Sequence, residues 1–160
     1  INIRLYGRKN SETYKPLRSD LQRLHDNAKK STDNPEELRC ISKQALDYVR
    51  IFLCAHLVWL IIVSTRTDTQ ERTNKEMRSQ WLHALRNGAG TKAITSIYRK
   101  LRKNSEENCD RDAFHQAVEQ LQSRTLKLIT ADNRRVVVAF DEIGIVKREF
   151  SGLFYHNQSE

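Results

Sequence analysis

The most apolar stretch of the chain is IFLCAHLVWLIIV, Ile51–Val63, and it decides how the residues around it are interpreted. A helix needs roughly 20 apolar residues to span a bilayer. This stretch is shorter than that, and His56 lies near its middle. It therefore predicts a buried core helix in a folded domain, with no membrane anchor.

The residues on either side of this stretch predict a run of helices. Upstream, Asn34 can cap a helix, and Pro35 suits its first position. Glu36 and Glu37 favour the same positive helix end, so this helix is expected to continue into the apolar stretch. Apolar residues at steps of three and four predict further amphipathic helices. These residues are Leu17, Leu21, Leu24 and Ala28; Met77, Trp81, Leu82 and Leu85; Ile94, Ile97, Tyr98 and Leu101; and Phe114, Ala117, Val118 and Leu121.

The amino-acid composition indicates which kinds of binding partner and which cellular compartment to expect. The chain has 160 residues and a formal net charge of +8, with 30% charged and 38% hydrophobic residues. A basic balance favours polyanionic partners such as nucleic acid or nucleotides. Its three cysteines form no C-x-x-C pair, and its five histidines lack metal-ligand spacing. The chain is therefore expected to be intracellular, cytoplasmic or nuclear, with reduced thiols and neither a disulfide framework nor a zinc site.

A second apolar run, RRVVVAFDEIG at Arg134–Gly144, reads differently from the helices. A continuous Val-rich run is typical of a strand that is buried on both faces. Asp141 and Glu142 are poor strand residues, so they are predicted at the strand end, where open α/β folds bind ligands. The expected fold class is therefore α/β, helix-rich, with several amphipathic helices followed by one buried strand. The neighbours of this strand must lie in the N-terminal residues, beyond the C-terminus, or in a part not present.

An apolar strand that ends in Asp-Glu has the pattern of a Walker B strand. In P-loop NTPases the aspartate binds or orients Mg²⁺, and the adjacent glutamate can orient the attacking water. The matching phosphate loop, G-x-x-x-x-G-K-[ST], is absent from the sequence. In NGAGTKA, Asn87–Ala93, Lys92 follows Thr91 instead of glycine, so this stretch predicts a helix–helix turn.

The order of four segments, CAHLVWL, WLHALRNG, IYRKL and VVVAFDEIG, resembles Crinkler-type P-loop proteins of fungi and oomycetes, which are related to AAA/STAND ATPases. The resemblance covers roughly residues 45–144, between Walker A and Walker B. It implies Mg²⁺ and ATP as cofactors, with Asp141 as the metal-linked carboxylate and Glu142 as the general base. It also implies a phosphate loop upstream of Ile1, so the chain by itself is expected to bind nucleotide poorly.

This interpretation treats residues 1–160 as one partial domain of a larger P-loop protein. The predicted parts are an N-terminal segment (1–33), a helical region (34–130), the Walker B-like strand (134–144) and a tail (145–160). The expected function is Mg²⁺-dependent ATP hydrolysis that drives a conformational switch or nucleic-acid engagement. Nucleotide and non-specific nucleic acid are the expected partners, and the sequence does not indicate an oligomeric state.

Two other functions use the same residues. In RNase H-like nucleases and transposases, an aspartate at a strand end binds catalytic metal ions, a role open to Asp141. The third possibility is a non-catalytic basic helical binding module. Arg86–Lys103 carries six basic residues and no acidic residue. As a binding module such a segment would contact phosphates without reading bases. Its apolar residues keep helical spacing, which favours the alternative of a solvated helix face.

Overall fold

The computed structural model describes residues 2–6, 13–31, 33–65, 79, 83, 88–106, 111–130, 137–141 and 149–154. Four long helices make up most of this part of the chain, and two short strands precede and follow them. The elements in chain order are β1 (Asn2–Tyr6), α1 (Lys15–Lys30), α2 (Pro35–Thr65), α3 (Ala89–Glu106), α4 (Arg111–Thr130) and β2 (Val137–Asp141).

The core is helical, and the predicted α/β class with a buried Walker B-like strand is wrong. The described core side chains come from the four helices, from Tyr14 just before α1, and from Phe150 and Leu153. β1 and β2 form a two-stranded parallel ladder, and their extensive contacts are with each other. The core is helical because four amphipathic helices bury far more apolar surface area against one another than one five-residue strand can bury.

Helix α2 is the centre of the described fold, because α1, α3 and α4 all pack against it. The apolar stretch Ile51–Val63 lies within α2, and Ile51, Ala55 and Leu57 are almost completely buried. The prediction of a core helix is thus confirmed for the part of the segment that is buried, and the absence of a membrane anchor stays a prediction. By length and hydropathy alone, Pro35–Val63 could also cross a membrane, but core helices pass the same test. Half of its most apolar window is buried inside the fold.

The predicted start of α2 is confirmed, and the described residues show one side of the predicted helix–helix turn at Gly88. The side chain of Asn34 accepts a hydrogen bond from the backbone N–H of Glu37 at 3.2 Å, which caps α2 as expected. Gly88 directly precedes α3 and has a φ of 73°, a conformation that favours glycine. The backbone N–H of Lys92 then donates to the Gly88 carbonyl at 3.1 Å, so α3 begins directly after Gly88. Asn87 and most of the helix predicted around Met77–Leu85 lie outside the described residues.

Part of the predicted tail belongs to the core. Phe150 and Leu153 are almost fully buried among the helices. The Ser42 hydroxyl on α2 donates to the Leu153 carbonyl at 2.6 Å, and Arg18 on α1 pairs with Glu149 at 3.2 Å. Residues 149–154 therefore close the bundle over α1 and α2.

Candidate functional site

The predicted catalytic pair lies only partly within the described residues. Asp141 is the last residue of β2 and lies opposite Tyr6 in the parallel register. Glu142 lies outside the described residues. Within the part of the chain that the structure describes, no group of three or more His, Cys, Asp and Glu side chains could hold a metal ion. The roles of Asp141 and Glu142 therefore stay predictions.

A buried carboxylate joins α1 to α3. The side chain of Asp20 is 7% exposed, and it accepts hydrogen bonds from the Tyr98 hydroxyl at 2.7 Å and Arg102 Nη1 at 2.5 Å. Burial, followed by the charge of Asp20, raises the pKa of Tyr98 far above its ordinary value. Tyr98 is therefore a permanent donor to Asp20, and the contact pins α3 onto α1.

The same carboxylate belongs to a ring of polar contacts that also includes α2. The Tyr48 hydroxyl donates to Glu106 Oε1 at 2.9 Å and accepts from Arg23 Nη2 at 2.9 Å. Arg102 Nε lies 3.5 Å from Glu106 Oε2, and Arg23 lies 3.9 Å from Asp20. Burial, followed by the hydrogen bond to Glu106, raises the pKa of Tyr48 to about 12. Each polar side chain in this ring contacts another one in the ring. These contacts therefore hold α1, α2 and α3 together.

A second buried carboxylate joins α2 to α4. The side chain of Asp47 is 2% exposed, and its two oxygens lie 3.0 and 2.9 Å from His115 Nδ1. Arg50 Nη1 approaches the same carboxylate at 3.2 Å, and His115 Nε2 lies 3.2 Å from Glu119 Oε1. An acid–base catalyst needs a ring nitrogen that can face the substrate. Both nitrogens of His115 face carboxylates, so this cluster also holds two helices together.

Two further buried groups on α2 serve packing. His56 Nδ1 is 2.9 Å from the Phe52 carbonyl, and the two rings meet edge-on at 4.4 Å. Burial lowers the pKa of His56 to about 4, so the imidazole is neutral at neutral pH and donates its Nδ1–H to that carbonyl. Burial likewise raises the pKa of the Cys54 thiol, which disfavours the reactive thiolate.

The surface of α3 carries the exposed charge of the predicted basic segment. Ile94 and Tyr98 face the core, whereas the solvent-facing side of α3 carries exposed cations. We call this side the α3 basic face, and it consists of Lys92, Arg99, Lys100 and Lys103. With a rise of 1.5 Å per residue it extends over roughly 16 Å. Arg102 lies outside it because its guanidinium is turned toward Asp20.

Sequence reasoning did not single out Asp20, Asp47 or His115. A signal was present: Asp20 follows Leu17 by three residues and precedes Leu24 by four, which places a charge on the apolar stripe of α1. A carboxylate in such a position is seldom buried without a partner. The partner itself could not be identified, because it lies on a helix far away in the sequence.

Comparison of the chain with protein-family models, curated proteins and solved structures finds no match. The resemblance to Crinkler-type P-loop proteins therefore stays an expectation of the sequence.

Proposed function

We propose that the helical body is a non-catalytic module that binds polyanions, with non-specific nucleic acid as the ligand. One observation carries this proposal: α3 has a buried side anchored in the core and an opposite side made of exposed cations. The buried clusters of ionisable groups, around Asp20 and around Asp47, have their partners within the protein. The chemistry that α3 offers to solvent is therefore positive charge.

The α3 basic face suits phosphate contacts for two reasons. Lysine and arginine side chains neutralise phosphates and release bound counterions, which makes affinity salt-dependent and independent of sequence. The backbone beneath them is held in place, since Tyr98 and Arg102 on the same helix both bond to Asp20. Lys92, Arg99 and Lys100 are exposed along one helix, and these cations can meet phosphates without reading base edges.

Neutralising the face tests the proposal. We expect Lys92→Gln, Arg99→Gln and Lys100→Gln, combined, to weaken nucleic-acid binding roughly 10-fold or more at low salt and to reduce the salt slope by about 0.9 per lost contact. The matched control is Lys29→Gln, Lys30→Gln and Arg39→Gln, which removes the same charge from exposed positions on α1 and α2. Binding can be followed by fluorescence anisotropy. Equal losses in both triple variants would mean that net charge alone, and not the α3 basic face, drives binding.

A second proposed function is the Mg²⁺-dependent ATP hydrolysis suggested by the sequence. This hydrolysis would drive the binding of nucleic acid through α3. Its support is the parallel register of β1 and β2, which sets Asp141 opposite Tyr6. β1 ends at Tyr6 and β2 ends at Asp141, so the carboxyl ends of both strands lie at the same edge of the ladder. Asp141 would serve as the metal-linked carboxylate and Glu142 as the general base.

The two carboxylates should respond differently in the full-length protein. We expect Glu142→Gln to leave nucleotide binding in place and to lower ATP turnover by roughly 10²-fold or more. Asp141→Asn should also weaken Mg²⁺-dependent binding, whereas Asp132→Asn, upstream of β2, serves as the control. A nuclease would need Asp141 for metal-dependent DNA cleavage and tolerate Glu142→Gln. ATP turnover at the parent rate in Glu142→Gln would remove the general-base assignment.

A further inference from the structure

We infer that the α3 basic face selects double-stranded over single-stranded nucleic acid. This inference rests on the proposed polyanion-binding function and adds the class of ligand to it. Two features of the described surface carry it: the absence of an exposed aromatic platform, and the straight, anchored line of cations.

The first feature concerns base stacking. Proteins that prefer single strands stack successive bases on aromatic side chains, at about 1–3 kcal/mol per base. The only aromatic residue of α3 is Tyr98, which is 1% exposed and bonded to Asp20. Within the described part of the chain, the exposed large hydrophobic residues are three leucines, Leu46, Leu126 and Leu128, and none is Phe, Tyr or Trp. Within the described residues, no aromatic side chain lies on the α3 basic face, so an unpaired base meets no aromatic ring there on which to stack.

The second feature concerns charge density. Duplex DNA carries one negative charge per roughly 1.7 Å of its axis, whereas each strand alone carries one per roughly 3.4 Å. Over the roughly 16 Å of the α3 basic face, a duplex presents about ten phosphates and a single strand about five. A face that binds by charge alone should bind more tightly to the duplex, because the duplex has the higher density of negative charge. The rigid duplex also matches cations whose helix is already fixed to α1 through Asp20, so less ordering is needed on binding.

The experiment compares a short duplex of mixed sequence with one of its own strands, at equal phosphate concentration, by fluorescence anisotropy. Salt is varied between about 50 and 200 mM. We expect the parent protein to bind the duplex roughly 10-fold more tightly at low salt and with the steeper salt dependence. Lys92→Gln, Arg99→Gln and Lys100→Gln, combined, should remove most of this preference, and the Lys29, Lys30 and Arg39 control triple should retain it.

The outcomes separate the two proposals. Equal affinity for duplex and single strand, or tighter binding of the single strand, would overturn duplex selection. If the α3 triple variant still binds both ligands more weakly than the control triple does, the polyanion-binding function stands. If the α3 and control triples bind alike, the polyanion-binding face itself is wrong, and duplex selection by α3 falls with it.

Discussion

Replacement of Asp20 with alanine is expected to lower the free energy of unfolding by about 3–5 kcal/mol, the usual cost of removing one partner from a buried ion pair. The side chain of Asp20 is 7% exposed and accepts hydrogen bonds from Tyr98 and Arg102. Without the carboxylate, the tyrosine hydroxyl loses its acceptor inside the protein, and the Arg102 guanidinium, 33% exposed, loses its closest counter-charge. The loss should appear as a lower midpoint in urea unfolding at an unchanged m-value.

Asp26→Ala is the matched control for this prediction. Asp26 lies on the same helix, is exposed, and accepts a hydrogen bond from Gln22 at 2.9 Å. Its replacement should change the free energy of unfolding by no more than about 0.5 kcal/mol. Tyr98→Phe should lie between the two, at about 1–3 kcal/mol, because it removes one donor and keeps the ring. Equal stability of the Asp20→Ala and Asp26→Ala variants would contradict the role of Asp20 as the lock between α1 and α3.

Ile51→Ala is expected to destabilise the protein by about 2–5 kcal/mol, the range for large-to-small substitutions in a packed core. Ile51 is fully buried on α2 and belongs to the core cluster that α2 shares with the other three helices. Truncation removes apolar contacts and leaves a cavity that the surrounding helices fill only in part. Urea unfolding of the parent and the variant measures this loss.

Leu46→Ala is the control on the same helix, since Leu46 is 37% exposed. Its truncation should cost less than about 1 kcal/mol, because much of the side chain already contacts water. The contrast tests whether the apolar segment of α2 is the interior of a helical bundle. If the two truncations have equal effects, Ile51 does not occupy a tightly packed interior.

The helices were predictable because each carries its own signal. The spacing of Leu17, Leu21 and Leu24 predicts α1, and all three are buried. The cap at Asn34 was predictable for the same reason. Its side chain accepts a hydrogen bond from the backbone N–H of Glu37, only three residues later. The burial of Ile51, Ala55 and Leu57 within the apolar segment followed from its length and from the amphipathic helices available to cover it. Local patterns of this kind need no knowledge of distant parts of the chain.

The fold class was not predictable in the same way. The Val136–Phe140 run is compatible with a strand buried in a sheet, and that pattern led to the α/β prediction. A strand becomes part of a sheet only by pairing with other strands. Here β2 pairs with β1, which lies more than a hundred residues earlier in the chain. The helices instead bury their apolar faces on α2, so the core is helical. The sequence alone does not show how many strands pair with β2, and that number decides whether a buried sheet can form.

The sequence by itself determined the four described helices, the cap at Asn34 and the cationic content of α3, because these depend on residues within a few turns of one another. The tertiary structure decided which charges are available. Lys100 and Arg102 lie two residues apart in the sequence, yet Arg102 turns inward to Asp20 while Lys100 is exposed. That distinction depends on a carboxylate 82 residues away, and only helix packing brings the two within hydrogen-bonding distance.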